Sequence, residues 1–295
     1  MKERIIKFGE NNNLIGILTE SENYSLTSST VIMLNSGMVY RIGPNRMYVE
    51  LARSLAGIGY NSFRLDFSGI GDSEVVDNDL SFEENACNET IQAMDTVTHI
   101  TGCKKYILLG ICSGAEIAYK TSLKLENIIG IIIVNGNYIS SEILNTLYPI
   151  AKRRTSIRYY KKQALNISTW LKVLKGNSNI INKNRIKSIK NIYKRLLSKN
   201  NSKNIKENRS IEQLKQLDPF IENIEYLLKK NIFVFQVYSE GSTSYDIFNL
   251  YTLNKISSLL NYKGYILKTI NNADHTFTPV WSQKLLNSFI MNNIK

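Results

Sequence analysis

An α/β chain with a mostly parallel sheet of eight strands, covered by helices on both faces, is what this 295-residue sequence predicts. Short β-branched apolar runs alternate with helix-period patterns along most of the chain. The central runs are apolar throughout rather than at alternate positions, as strands buried on both faces require. That rhythm breaks between about 138 and 216, in a Tyr-, Asn- and Lys-rich stretch, and then resumes. The expected organisation is therefore a core in two parts, 1–137 and 217–295, with a helical insertion at 138–216.

Residues 3–8 and 13–18 alternate around the polar "ENNN" and predict a hairpin. "STVIML" (29–34) is a buried strand ending at "NSGM", and "NRMYVELARSLAGIGY" has helical spacing with a Gly stop. The strand "NSFRLDF" leads into "SGIGDSE". Next come a helix over 83–101, the strand "KYILLG", a helix over 113–125 and the strand "IIGIIIVNG". Beyond the insertion the pattern predicts a helix to about 230, the strand "IFVFQVY" (232–238), a helix to about 260, the strand "GYILKTI" and a last helix from about 278.

Composition narrows the function classes. The three cysteines, Cys87, Cys103 and Cys112, form no CxxC pair and have no neighbouring histidine, which argues against a zinc site and a disulfide framework. No metal or cofactor is implied. "MKERIIKFGE" lacks an apolar signal core and no run approaches bilayer-spanning length, so a soluble, cytoplasmic protein is expected. The formal charge of +12 is localised: residues 151–210 hold 18 Lys/Arg against one acid, Glu207, a local net of +17.

Chemistry in a parallel sheet gathers at the carboxyl ends of its strands. Gly110-Ile111-Cys112-Ser113-Gly114 matches a sharp strand-to-helix turn with a nucleophile at its centre and small residues two positions to each side. Centring the turn on Ser113 would put Ile111 in a position that tolerates no branched side chain. Cys112 is thus the candidate nucleophile. Its thiolate would be favoured at a helix N-terminus, with the Ser113 N–H facing a developing oxyanion. Met38, after Gly37 in "NSGM", is the candidate second oxyanion donor.

Of the two histidines, His99 lies in a predicted helix ahead of the turn, whereas His275 follows the last strand, where a general base belongs. The orienting acid is expected after the strand 232–238. There the usual position, four residues past the strand, is Ser242 in "SEGSTSYD". Asp246 and Glu240 are the available carboxylates; Asp246 is preferred because a residue starting the next helix can still reach the histidine loop, with Glu240 the alternative.

The stretches "YRIGPNRMYVELARSLAGIGYNSFRLDFSGIGDSE" (40–74), "GICSGA" (110–115) and "ADHTF" (273–277) together resemble the α/β-hydrolase superfamily over nearly the whole chain. Within it the chain is similar to hydrolases associated with the exosortase A system and their relatives in natural-product gene clusters. That resemblance implies a Cys nucleophile at Cys112 and a histidine at His275. It implies that "DFSGIGDSE" is a structural signature and that the insertion is a lid. Relatives tend to read "SEGD" with a second Asp four residues on, so Ser242 is a departure while Asp246 is kept.

These features point to acyl transfer through a thioester. The first expectation is a thioesterase or ester hydrolase acting on an activated acyl substrate of a biosynthetic pathway. Transfer to an amine or alcohol is an alternative, and a silent basic binding module is another. The basic insertion suits a solvated face or an acidic partner such as an acyl carrier protein. Nucleic acid ranks below these, since no recognition motif accompanies the charge. "SIRYYKKQALNISTWLKVLK" (156–175), with Trp170, also has the amphipathic character of a membrane-surface helix.

Overall fold

The computed structural model describes residues 1–23, 29–165 and 219–294. The chain divides into two compact units, Met1–Tyr138 with Pro219–Lys295, and Ile139–Asp218.

In the first unit eight strands form one sheet: β1 (Lys2–Phe8), β2 (Leu14–Glu20), β3 (Thr30–Leu34), β4 (Asn61–Asp66), β5 (Tyr106–Ile111), β6 (Ile128–Val134), β7 (Phe233–Ser239) and β8 (Tyr265–Ile270). Their order is β1-β2-β4-β3-β5-β6-β7-β8. The β1–β2 hairpin and the β2–β4 pair are antiparallel, and every later pairing is parallel. The helices are α1 (Met47–Gly57), α2 (Phe82–Thr101), α3 (Ser113–Ser122), α4 (Ser141–Leu165, in the second unit), α5 (Phe220–Lys229), α6 (Thr243–Ile247) and α7 (Val280–Asn293).

The continuous apolar runs now have a physical meaning. In β3, Val31 and Met33 enter one core while Ile32 and Leu34 enter the other. In β5 the same division separates Ile107, Leu109 and Ile111 from Tyr106 and Leu108. Successive side chains alternate across a strand, so a sheet buried on both faces needs apolar residues at both parities. One core is closed by α1 and α7, the other by α2, α3 and α5. Helix α2 starts at a reciprocal Ser81–Glu84 capping box and stops at Gly102, whose φ of 71° reverses the chain.

One predicted element differs. The helix expected to run to about 260 is divided into α6, a π-helical turn at Phe248–Thr252 and 3₁₀ turns at Leu253–Lys255 and Leu259–Asn261. Asn249, Thr252, Asn254, Ser257 and Ser258 are residue types whose short polar side chains disfavour a regular helix. Buried Phe248, Tyr251, Ile256 and Leu259 anchor the irregular path.

In the second unit α4 carries buried Ile143, Leu147 and Ala151 at four-residue spacing. Its charged positions Lys152, Arg153, Arg154 and Lys161 are exposed. Residues 166–218, with Trp170 and most of the basic segment, lie outside the described residues. Among the described residues no helix is long and apolar enough to cross a membrane.

Candidate active site

The turn between β5 and α3 is built by steric exclusion. Cys112 sits at its apex with φ 57° and ψ −123°. A non-glycine residue adopts such a conformation only where the surroundings enforce it. A Cβ on Gly110 would fall 2.1 Å from the Gly114 carbonyl group, and one on Gly114 would fall 2.4 Å from the Asn35 carbonyl oxygen. Ile111, by contrast, is buried in the core of α1 and α7. The spacing of the two glycines therefore puts Cys112, not Ser113, at the apex. Its own N–H donates to the Val134 carbonyl at 2.8 Å, pinning the turn to β6.

Ser113 carries a contact that local sequence reasoning missed. Its Oγ accepts from the Gly37 N–H at 2.8 Å and ties the turn to the loop after β3. That loop is a tight turn, with Gly37 at φ 57° and the Val39 N–H donating to the Ser36 carbonyl. With Gly37 engaged, Met38 is the next residue of the loop, 79% exposed. Among the described residues its N–H makes no hydrogen bond.

Buried Asn35 and Asp66 fix the base of this loop. Asn35 Nδ2 donates to the Val39 carbonyl at 3.0 Å, and its Oδ1 accepts from the Phe67 N–H at 2.8 Å. Asp66 accepts from the Arg41 guanidinium, which also pairs with Asp72, and from the Asp72 N–H at 3.2 Å. The "DFSGIGDSE" stretch is thus a hydrogen-bonded brace, in keeping with a structural signature.

His275 follows β8 and is held from below. Asn135, at the end of β6 with φ 52°, donates through Nδ2 to the His275 carbonyl at 2.8 Å and to Ser239 Oγ at 2.9 Å. Its Oδ1 accepts from the Ser239 N–H at 2.8 Å. One fully buried amide therefore locks the ends of β6 and β7 to the histidine loop. An Asn-Gly pair at a strand end was the available signal, but its partner lies 140 residues away.

The imidazole contact departs from the preferred expectation. His275 Nδ1 lies 2.7 Å from Ser242 Oγ, not against Asp246 or Glu240. Ser242 caps α6, where its Oγ also accepts from the Ser244 N–H at 3.1 Å. Gly241 brings this cap to the histidine loop: its N–H donates to the Ala273 carbonyl at 2.8 Å, and a Cβ there would lie 2.7 Å from that oxygen. Glu240 turns to the other end of the loop and accepts from the Asn272 N–H at 2.8 Å. Asp246 lies buried within α6, one turn beyond the cap.

Burial favours the uncharged form of both Cys112 and His275. Burial pushes the Cys112 thiol up; the Ser113 N–H opposes that shift, and the nearby Glu116 carboxylate reinforces it. The thiolate expected from the helix N-terminus is thus outweighed by desolvation. Burial lowers the His275 pKa, against a smaller opposing effect from Asp274. Glu116 accepts from the Asn137 N–H at 3.0 Å and is raised, chiefly by its own burial. The remaining cysteines, Cys87 and Cys103, are buried, and among the described residues no group of three or more His, Cys, Asp or Glu gathers to hold a metal.

This architecture is the α/β-hydrolase fold. Solved structures with the same fold span nearly the whole chain. A protein of unknown function from Agrobacterium tumefaciens, described as an α/β hydrolase, aligns over 99% of this chain and 94% of its own at 13% identity and a TM-score of 0.54. An α/β serine hydrolase homologue from Coxiella burnetii aligns over 100% and 97% at 11% identity and 0.53. The proline iminopeptidase of Mycobacterium smegmatis aligns over 99% and 98% at 13% identity and 0.52. No family model and no curated protein matches the sequence.

Proposed function

We propose that this protein is a hydrolase-type acyl-transfer enzyme that forms a thioester on Cys112. The substrate is an activated acyl compound, an ester or a thioester, and the acceptor in the simplest case is water. The observation that carries this reading is the apex position of Cys112, in a strained conformation that neighbouring glycines enforce. The presence of hydrolases among proteins of similar fold supports the hydrolase part of this reading.

In the proposed cycle Cys112 Sγ attacks the acyl carbonyl and His275 Nε2 takes the thiol proton. Nδ1–H then donates to Ser242 Oγ, whose second lone pair accepts from the Ser244 N–H. The N–H groups of Ser113 and Met38 stabilise the tetrahedral oxyanion. His275 returns the proton to the leaving group, and an acceptor releases the acyl chain from sulfur. The net positive charge of the insertion suits docking of an acidic carrier of the acyl chain.

Incubation with acyl thioesters followed by mass mapping tests the reading. It predicts an acyl adduct on Cys112 that is absent in Cys112→Ala. Turnover that survives Cys112→Ala, with no adduct on the parent, would overturn it and favour a different nucleophile or a silent binding module.

A further inference from the structure

We infer that Ser242 is the positioning residue of His275, standing where a carboxylate would, and that the acyl-enzyme consequently prefers an uncharged amine to water. This inference rests on the Cys112 thioester proposed above.

The geometry supporting it is specific. Ser242 is fully buried, bonded to Nδ1 at 2.7 Å and fixed as the α6 cap by the Ser244 N–H. The loops on either side are joined through Gly241 and Ala273 and braced by Asn135. The hydroxyl is therefore held in place, not casually adjacent. What it lacks is charge.

That lack affects the steps unequally. Any step that leaves a proton on the imidazole gains from a carboxylate at Nδ1, because a charge-assisted hydrogen bond is roughly twice as strong as a neutral one. In serine proteases a neutral amide in place of that carboxylate costs about 10⁴ in kcat. Forming the thioester is buffered against this loss, since a thiol, even one that burial raises above its ordinary range, is far more acidic than water. Hydrolysis is not buffered, because water with a pKa of about 15.7 must be deprotonated as it attacks.

An uncharged amine avoids the difficulty. Its nitrogen lone pair attacks the thioester carbonyl directly, forming the N–C bond. The C–Sγ bond then breaks, and the proton on the now acidic nitrogen passes through His275 to the departing Sγ. Thiol, imidazole and hydroxyl all return to their starting state. The burial that keeps His275 a weak base acts in the same direction.

The test uses the full-length protein with a short-chain acyl thioester at about pH 8, with and without glycinamide as the probe amine. The parent should show a burst of one acyl group per Cys112, slow acid release, and mostly amide when glycinamide is present. Ser242→Asp retains a capping side chain. It should accelerate acid release about tenfold or more, shift the products toward acid, and move the acidic limb of the pH profile upward as the new carboxylate raises the imidazole pKa.

Ser242→Asn keeps a cap without charge and should hydrolyse no faster than the parent. Ser242→Ala, with neither contact, should slow acylation. If Ser242→Asp folds yet leaves acid release and the acidic limb as in the parent, Ser242 does not position His275. If the parent acylates but hydrolyses without a burst and makes no amide, the acceptor preference fails while the Cys112 thioester stands. No adduct on any variant overturns the thioester itself.

Discussion

The two ends of the candidate site are built to different standards. At the β5–α3 turn every position obeys a steric demand: Gly110 and Gly114 leave no room for a Cβ, and Cys112 accepts a strained backbone between them. At the β7 and β8 loops the backbone is equally well braced, by Asn135 and Gly241, yet the group reaching the imidazole is a neutral hydroxyl. The turn and the braced loops are both formed, and the side chain at the imidazole Nδ1 is the Ser242 hydroxyl rather than a carboxylate. The contrast teaches that loop geometry and the charge of the group it presents are separable: a braced loop can hold a neutral hydroxyl at the imidazole as firmly as a carboxylate.

Breaking the nucleophile end should have the largest effects. Cys112→Ala is expected to lower thioester turnover by at least about 10³-fold with the fold intact, as read by steady-state rates and circular dichroism. Gly114→Ala forces a Cβ against the Asn35 and Leu34 carbonyl oxygens. It should cost about 3 kcal/mol in chemical denaturation, at the upper end of ordinary substitutions.

Breaking the brace at the other end should be milder in stability and visible in rate. Asn135→Ala removes three hydrogen bonds around Ser239 and His275. A displaced histidine of this kind lowers kcat by about 10²-fold, with KM little altered. A small effect on kcat alongside a large loss of stability would show that Asn135 serves the fold alone.

The smallest expected effect concerns the insertion. Replacing exposed Lys152, Arg153, Arg154 and Lys161 by Gln removes charge at positions that all belong to the second unit. Relative to the parent, kcat/KM for an acidic carrier-bound thioester should fall about threefold to tenfold and lose its salt dependence, because steering is an electrostatic on-rate effect. Small uncharged thioesters should be turned over as before. Equal losses for both substrates would count against carrier docking.

The elbow was legible in the sequence because the residues its constraints select fall within five consecutive positions, even though Gly114 is held by the distant Asn35 carbonyl, and a branched Ile111 decides the register locally. The sheet was legible because burial on both faces leaves unbroken apolar runs. His275 could be located by its position after the last strand. The contacts that complete the site were not legible, since they join residues far apart: Gly37 to Ser113 across 76 positions, Ser242 to His275 across 33, and Asn135 to His275 across 140. The balance of effects on the Cys112 thiol was not legible for a related reason. A helix N-terminus can be read from sequence, whereas the burial that outweighs it is a property of the assembled fold.

The contrast between a well-formed nucleophile turn and an uncharged orienting group is tested most directly by the pH dependence of Cys112 alkylation. Cys87 and Cys103 are buried, so iodoacetamide labelling of the native protein, mapped by mass, reports on Cys112. A raised thiol pKa beside a lowered imidazole pKa means that little thiolate exists at neutral pH. The labelling rate should climb about tenfold per pH unit with its inflection above the ordinary thiol range of about 8.5. Rapid labelling that persists down to about pH 5, the signature of a preformed thiolate–imidazolium pair, would contradict the account.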